Sequence, residues 1–216
     1  MVLSKSALIF VDCQNDFFEG GALAVPRSLE ILPTLHKLRE SGWFNVNIFT
    51  CDWHPVHHCS FKKPCCPLNE NGECNEGPWP PHCVQHSVGA ALHPEIKRYP
   101  NDYVVTKAYQ PEIDSYSGFG VSTHPTDLKD ILTHHSISTV FVVGLATDYC
   151  VMETALDAKK HGFTTIIISD GCRGITSETV DKAYERMKEQ GILTTTLEEL
   201  SDAITKEEKA NMEKTL

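Results

Sequence analysis

The sequence predicts one α/β domain over residues 1–216, with a central, mainly parallel six-stranded sheet flanked by helices in three layers. Short apolar runs rich in β-branched residues alternate with segments of helical spacing, a pattern typical of a parallel sheet covered on both faces. A chain of 216 residues, of which 41% are hydrophobic and 22% charged, is also long and apolar enough to build one core of ordinary size.

Six short apolar runs are predicted to be buried strands, at residues 7–11, 45–50, 103–106, 139–143, 164–169 and 192–196. Between them, apolar residues recur at helical spacing in 29–38, 128–132, 152–158 and 180–187. Gly42, Gly162 and Gly191 follow three of these segments, where a left-handed residue that ends a helix is favoured. The alternating charges of 206–214 indicate a solvated helix or a frayed end.

Residues 51–100 interrupt this alternation, because they contain many Pro, Cys and His residues and little periodicity. An insertion of this length without regular structure is functional or disordered in most compact domains, and its metal-capable side chains favour a function. One alternative is a structural zinc site made of thiolates, although the cysteines lack two clean Cys-x-x-Cys pairs. The thiols concerned are Cys59, Cys65, Cys66, Cys74 and Cys83.

Charge and composition limit the partners of the chain. With 19 Lys and Arg against 29 Asp and Glu, the formal net charge is −10 and no basic run offsets it, so we expect neither nucleic acid nor a membrane as partner. No apolar run approaches a membrane span, and the first one is too short for a signal-peptide core. Nine cysteines are an odd number and a poor disulfide framework, so we expect reduced thiols and a cytoplasmic location.

Reactive side chains follow four consecutive predicted strands. Asp12 comes after the first strand, Asp52 and His54 after the second, Lys107 after the third, and the segment that leads to Cys150 after the fourth. Ligands of open parallel sheets bind beyond the carboxyl ends of the strands, where the loops converge. We therefore expect these side chains to share one site for a small neutral ligand.

Cys150 is the candidate nucleophile of this site. It stands at the predicted start of a helix, where the helix dipole and free N–H groups lower the pKa of a thiol; a small buried thiol is the alternative. Asp12 is the candidate proton acceptor and Lys107 the candidate cationic neighbour, with a cap and a surface charge as their respective alternatives. The backbone N–H groups of Ala146 and Cys150 are then placed to act as an oxyanion hole.

Asp52 and His54 are also candidate metal ligands, because residues two apart lie on one side of an extended segment. His82, on a loop stiffened by two prolines, is the best third ligand. A carboxylate and two imidazoles suit zinc, iron or manganese. Phe17 and Trp79 are the candidates to sandwich a flat ring, although core packing is the usual role of such side chains.

Five motifs resemble those of the nicotinamidases in the isochorismatase-like cysteine hydrolase superfamily. They are VDCQNDF at 11–17, DWHP at 52–55, WPPHCV at 79–84, DSYSGF at 114–119 and GLATDYCV at 144–151. The resemblance extends over nearly the whole chain, from residue 7 to about 196, and implies the isochorismatase-like hydrolase fold. It departs at Ala108, where the family often has glycine, and at 85–87, where it usually has smaller residues.

The resemblance implies hydrolysis of nicotinamide to nicotinate and ammonia, as in NAD salvage, with pyrazinamide as a further substrate. Asp12, Lys107 and Cys150 form the implied triad, and Cys150 carries a thioester. One divalent metal per chain is implied on Asp52, His54 and His82, with zinc expected first and iron or manganese as alternatives; it binds the pyridine nitrogen. Substrate contacts are implied for Phe17, Trp79, Tyr116, Leu145, Ala146 and Tyr149.

Three further features follow from the resemblance. A non-proline cis peptide is implied between Leu145 and Ala146. His58 lies near the position of a fourth ligand used by some relatives, with hydrogen bonding or exposure as alternatives, and Ser60 is a candidate to order metal-bound water. A homo-oligomer is compatible with the resemblance.

Two alternative functions stay open at this point. One is a sister hydrolase that acts on another carboxamide or on isochorismate; such relatives share the triad but generally lack the metal trio. The other is a non-catalytic, thiol-rich metal-binding or redox module, which nine cysteines and eleven histidines would also suit.

Overall fold

A computed structural model describes residues 3–62 and 77–213 of the chain. Its strands are β1 (Leu3–Val11), β2 (Phe44–Asp52), β3 (Tyr103–Lys107), β4 (Gly120–Val121), β5 (His124–Pro125), β6 (Thr139–Leu145), β7 (Thr164–Arg173) and β8 (Leu193–Thr195). Six of them form one sheet in the order β3-β2-β1-β6-β7-β8, and every neighbouring pair is parallel. The predicted six-stranded parallel sheet is confirmed.

Five α-helices lie among the described residues: α1 (Leu32–Glu40), α2 (Leu128–His134), α3 (Met152–Lys160), α4 (Ser177–Glu189) and α5 (Leu197–Glu213). The four predicted helical segments correspond to α1 to α4, and residues 206–213 of the charged tail belong to α5. Two 3-10 turns, Asn15–Phe17 and Ser28–Ile31, and one π-helical turn, Thr147–Val151, complete the described helical structure. The helices begin at ordinary signals, such as the Thr176 capping box at the start of α4.

The helices cover both faces of the sheet, which gives the three layers. Successive side chains of a strand point to opposite faces. Leu8 of β1 accordingly packs in a cluster with residues of α1 and α5, and its neighbour Ile9 packs with residues of α2, α3 and α4. This two-sided burial explains why residues 7–11 form a continuous apolar run in which every residue is 0% exposed.

The strand order reverses between β1 and β6, and this places the loops that follow these two strands side by side. At the end of the pair, Val11 lies opposite Gly144. Gly144 has a φ of +123°, and a Cβ there would lie 2.1 Å from the carbonyl oxygen of Val11. Only glycine permits this approach, which brings Asp12 next to the start of the loop after β6.

The described part of the insertion between β2 and β3 folds over the same edge of the sheet. It contains isolated bridges, such as His54 to Val84, instead of helices or longer strands. Where the chain enters β3, a buried ion pair between Asp102 Oδ2 and Arg39 Nη2, at 2.5 Å, attaches it to α1. None of the helices in the described ranges is long and apolar enough to span a membrane.

Candidate active site

The three predicted triad side chains meet at the carboxyl edge of the sheet. The Lys107 Nζ atom lies 3.0 Å from Asp12 Oδ2 and 3.5 Å from Cys150 Sγ. Lys107 also donates hydrogen bonds to Asp52 Oδ1 and, at 3.0 Å, to the carbonyl of Ser115. Asp12, Lys107 and Cys150 are all buried. The ammonium group is therefore held by two carboxylates and one carbonyl, within reach of the sulfur.

The two oxygens of the Asp12 carboxylate have different partners. Thr50 Oγ1 donates a hydrogen bond of 2.7 Å to Oδ1, while Oδ2 faces Lys107. The Cys150 sulfur lies close to this carboxylate, since one ligand atom from each of Asp12, Asp52 and Cys150 falls within 4.8 Å of the other two. Asp12 follows β1 with a left-handed φ of +47°, so the chain turns sharply at this residue. One acid, one thiol and one ammonium group thus form a connected set.

Burial and charge shift the pKa values of these groups. Burial raises the pKa of Cys150 and of Asp12, and Lys107 opposes both shifts. Burial disfavours the charged form of Lys107, but Asp12 and Asp52 outweigh this and raise its pKa. The position of Cys150 at a helix N-terminus predicted a lowered pKa. This prediction is wrong, because the sulfur is buried beside two carboxylates. In addition, Cys150 lies in the π-helical turn before α3.

The three predicted metal ligands also lie together. One candidate ligand atom from each of Asp52, His54 and His82 falls within 4.8 Å of the other two. Asp52 Oδ2 is 3.4 Å from His54 Nε2 and 3.8 Å from His82 Nε2. All three residues are buried. Burial disfavours the Asp52 carboxylate, yet Lys107, His54 and His82 together lower its pKa.

The surroundings of the two histidines fit a metal ion. His54 Nδ1 lies 3.1 Å from the carbonyl of Ala108, and His82 Nδ1 lies 2.8 Å from the carbonyl of Pro80. A carbonyl only accepts, so both Nδ1 atoms donate; in a neutral ring this leaves the lone pair of each Nε2 atom on the side of Asp52, where a metal ion would bind. Ala108 has a φ of +49°, so this alanine adopts the left-handed conformation that glycine favours.

His58 lies beside this cluster but uses both ring nitrogens elsewhere. Its Nδ1 is 2.7 Å from Ser60 Oγ and its Nε2 is 3.0 Å from the carbonyl of Ile113. Of the three readings of His58, the structure shows the hydrogen-bonded one, with the ring centroid 4.2 Å from that of His54. Burial lowers the pKa of His58, which favours the neutral ring.

The alternative thiolate site falls partly on Cys65, Cys66 and Cys74, which lie outside the described residues. Of the other two candidates, Cys59 is partly exposed and Cys83 is buried. Neither belongs to a potential metal-binding group within 3–62 and 77–213. The six described cysteines, Cys13, Cys51, Cys59, Cys83, Cys150 and Cys172, are free thiols.

A cavity of about 450 Å³, counting its open mouth, joins the thiol to the three candidate metal ligands. Its lining contains Cys150 together with Asp52, His54 and His82. The other lining residues are Phe17, Leu23, Val25, Ser60, Trp79, Asp114, Tyr116, Ala146, Tyr149 and Ile175.

Five of the six predicted substrate contacts line this cavity, and Leu145 does not. Leu145 is fully buried and packs in the core, so a contact with substrate does not come from its side chain. The implied cis peptide between Leu145 and Ala146 is present. Trp79 Nε1 donates a 3.1 Å hydrogen bond to Tyr116 Oη, and the Trp79 ring contacts Tyr149 edge-on.

Three apolar lining residues were not predicted from the sequence. Leu23 and Val25 come from the loop after the first 3-10 turn, and Ile175 comes from the loop between β7 and α4. The only feature of the sequence that points to these three residues as cavity lining is that each is apolar and lies in a loop that follows a strand.

Comparisons with known proteins agree with this geometry. A family model described as the Isochorismatase domain matches residues 6–199. The nicotinamidase of Escherichia coli (strain K12) is 40% identical over 193 residues, which cover 84% of this chain and 89% of that protein. The structure of Pyrococcus horikoshii pyrazinamidase in complex with zinc matches with a TM-score of 0.77 and 38% identity, over 89% of this chain and 99% of that one.

A third comparison concerns a ligand complex. The structure of PnC1 from L. infantum in complex with nicotinate matches with a TM-score of 0.81 and 32% identity, over 91% of this chain and 96% of that one.

Proposed function

The chain belongs to the isochorismatase family of hydrolases, and from this premise we propose that it hydrolyses nicotinamide to nicotinate and ammonia. The observation that carries the proposal is one cavity lined by both the Cys150 thiol and the Asp52, His54 and His82 cluster. A cysteine hydrolase needs the thiol as its nucleophile. A substrate with a pyridine nitrogen would account for the cluster of metal ligands beside it. Zinc in the pyrazinamidase and nicotinate in the L. infantum protein support the two halves of the proposal.

The proposed reaction begins with a proton transfer. Burial raises the pKa of Cys150, which favours the neutral thiol in the resting site. As the sulfur attacks the carboxamide carbon, the S–H bond breaks and Asp12 accepts the proton. A C–S bond forms, and the carbonyl oxygen takes the negative charge. Lys107, 3.5 Å from the sulfur, stabilises the thiolate character that develops during attack.

The tetrahedral intermediate then loses ammonia. Asp12 returns its proton to the amide nitrogen, the C–N bond breaks, and a thioester remains on Cys150. The backbone N–H groups of Ala146 and Cys150 are the proposed donors to the oxyanion. In the second half, Asp12 takes a proton from water, the water oxygen attacks the thioester, and the C–S bond breaks as Asp12 returns this proton to the sulfur. The carboxylic acid so formed loses its own proton to solvent. Nicotinate is released.

Asp52, His54 and His82 are the proposed ligands of one divalent metal ion. When bound, this ion supplies a Lewis acid that attracts the pyridine nitrogen. The chain itself directs the ligands, because the carbonyls of Ala108 and Pro80 fix the histidine rings. The cavity wall of Phe17, Trp79 and Tyr149 is apolar and aromatic, and it is proposed to hold the ring and exclude bulk water.

The nucleophile is tested by measuring ammonia release from nicotinamide. Cys150→Ala is expected to abolish release while the protein keeps its far-UV circular dichroism spectrum. Cys172→Ala is the matched control, because Cys172 is also a buried free thiol of the same core but does not line the cavity. Near-normal turnover in Cys150→Ala would remove the thioester from the mechanism.

The metal is tested by counting bound ions and by removing a ligand. We expect one zinc per chain and an increase in KM in His54→Ala, with His124→Ala, an exposed histidine of the β4–β5 hairpin, as control. Unchanged kinetics in metal-free protein would exclude the metal from the reaction. Several bound ions per chain without ammonia release would instead support the thiol-rich metal-binding or redox module. A protein that hydrolyses only another carboxamide, or only isochorismate, would be a sister hydrolase.

A further inference from the structure

Gln14 lies two residues after Asp12, in the loop that follows β1, and it is fully buried. Its Oε1 accepts a 2.8 Å hydrogen bond from the Asp52 N–H. Its Nε2 donates to the carbonyl of Asp52 at 2.7 Å and to the carbonyl of Ala90 at 2.9 Å. Since only the NH₂ group can donate to carbonyls, these three partners fix the orientation of the amide.

The pairing of Gln14 with Asp52 takes the place of a strand. The ladder between β1 and β2 ends at the pair of Val11 and Thr50. Beyond this pair, β1 has turned away, and no β1 backbone group lies opposite the Asp52 N–H and carbonyl in the ladder. The Gln14 side-chain amide makes a hydrogen bond with each of these two groups instead. On the other side Asp52 is paired with Lys107 of β3. The backbone of Asp52 is thus clamped between a side chain and a strand.

Asp52 is the residue that joins the two halves of the site. Its Oδ1 accepts from Lys107, and its Oδ2 faces the Nε2 atoms of His54 and His82. A small rotation of the Asp52 backbone would therefore displace a carboxylate from the ammonium group and from the metal cluster at once. The clamp acts on the residue where such a movement has the largest effect.

We propose that Gln14 is a positioning residue, which holds Asp52 and so couples the geometry of the metal cluster to that of Lys107 and Cys150. The inference deepens the proposed function, since it takes the roles of Asp52 from there. Its third hydrogen bond, to Ala90, ties the insertion that carries His82 to the same clamp.

The test compares Gln14→Met with Gln85→Met. Methionine has a similar length and no charge, but it cannot make the amide hydrogen bonds. Gln85 is a matched control, because its Nε2 also donates to backbone carbonyls of this region, those of Trp53 at 2.9 Å and Tyr109 at 3.3 Å. It does not contact Asp52 through its side chain in any described hydrogen bond.

Two readouts need no substrate turnover. The first is the zinc dissociation constant from competition with a chromogenic chelator, which is expected to rise about 10- to 100-fold in Gln14→Met, the range for lost partners of metal ligands. The second is the rate at which iodoacetamide alkylates Cys150 in metal-free protein at one pH, followed by peptide mass spectrometry. This rate is expected to change at least about threefold, because Asp52 no longer holds the Lys107 ammonium group in one position beside the sulfur. Gln85→Met should leave both values within about twofold.

Thermal unfolding verifies that each variant is folded, and Gln14→Asn replaces Gln14→Met if the latter does not unfold cooperatively. Asparagine keeps the amide but is one methylene too short to reach both groups of Asp52. A folded Gln14 variant with wild-type zinc affinity and wild-type alkylation would overturn the inference. If wild-type protein binds no zinc, the metal part of the proposed function fails, and the alkylation rate alone decides the role of Gln14.

Discussion

The hydroxyl of Thr50 is predicted to keep Asp12 ready to accept a proton. Thr50 is fully buried in β2, and its Oγ1 donates a 2.7 Å hydrogen bond to Asp12 Oδ1. The same Oγ1 accepts from the Asp12 N–H at 3.3 Å. Valine has nearly the same shape and cannot make either bond. Thr50→Val therefore tests the bond with little change in packing.

The size of the effect follows from the strength of a hydrogen bond to a charged group. Such a bond contributes about 1.5–3 kcal/mol, which corresponds to a fall of about 10- to 150-fold in kcat/KM. The hydrogen bond from Thr50 lowers the pKa of Asp12, against the larger effect of burial. Its loss raises that pKa further. Because the base must be ionised, the acid limb of kcat/KM should move to higher pH, and part of the activity should return as pH rises.

The assay is ammonia release from nicotinamide across a pH series, with Thr50→Ser as control. Serine keeps the hydroxyl and loses only a methyl group that packs near Gly118, where an added Cβ would lie 2.7 Å from Thr50 Cγ2. Thr50→Ser should therefore lose stability of about 1 kcal/mol and keep most of its activity. Thr50→Val with kcat/KM within about twofold of wild type and an unmoved acid limb would show that the Thr50 hydroxyl does not act on Asp12.

Three other perturbations have defined outcomes. Asp12→Asn should abolish hydrolysis and shift the pH profile of Cys150 alkylation to lower pH, because burial and then the Asp12 carboxylate raise the pKa of this thiol; an unmoved profile contradicts this. Arg39→Met leaves the carboxylate of Asp102 buried without a cation and should lower the free energy of urea unfolding by about 3–5 kcal/mol; a loss below about 1 kcal/mol would show a weak anchor. Zinc at about 100 times its dissociation constant should stabilise the wild type by about 2.7 kcal/mol in thermal unfolding and leave His54→Ala almost unchanged; equal stabilisation of both would exclude this ligand.

The sheet was predictable because its strands are buried on both faces. Residues 139–143 and 164–169 form apolar runs that no amphipathic helix would show, and both are strands. The β4–β5 hairpin was not predicted, since two residues in each strand leave no periodic pattern. The predicted start of the first helix, at residue 29, differs from the observed start of α1 at Leu32. Residues 28–31 form a 3-10 turn, which the apolar spacing does not distinguish from an α-helix.

The meeting of Asp12, Lys107 and Cys150 was predictable from one rule, that parallel strands present their carboxyl ends at the same edge. His82 was predicted as the third ligand because two prolines precede it, and the resemblance to a family implied the same residue; its spacing did not predict the contact, since 26 residues separate it from Pro55. The environment of each group was not predictable. The pKa of Cys150 depends on burial and on two carboxylates from distant strands, and neither is visible from its neighbours in the chain.

The apolar wall of the cavity shows the same limit. Leu23, Val25 and Ile175 resemble core residues in every local property, and only the folded chain shows that they face the thiol. Gln14 is similar, because its three hydrogen bonds join segments 38 and 76 residues apart. Long-range contacts of this kind decide specificity and positioning, and a periodic pattern does not report them.

The order in which ammonia and nicotinate leave the enzyme tests whether the reaction passes through a thioester on Cys150. A rapid-quench experiment with enzyme in the micromolar range should follow ammonia and nicotinate separately, with peptide mass spectrometry of the quenched protein. We expect ammonia to appear before nicotinate, with a nicotinoyl group on the peptide that contains Cys150. Simultaneous release of both products, with no acyl group on that peptide and the same time course in Cys150→Ala, would contradict it.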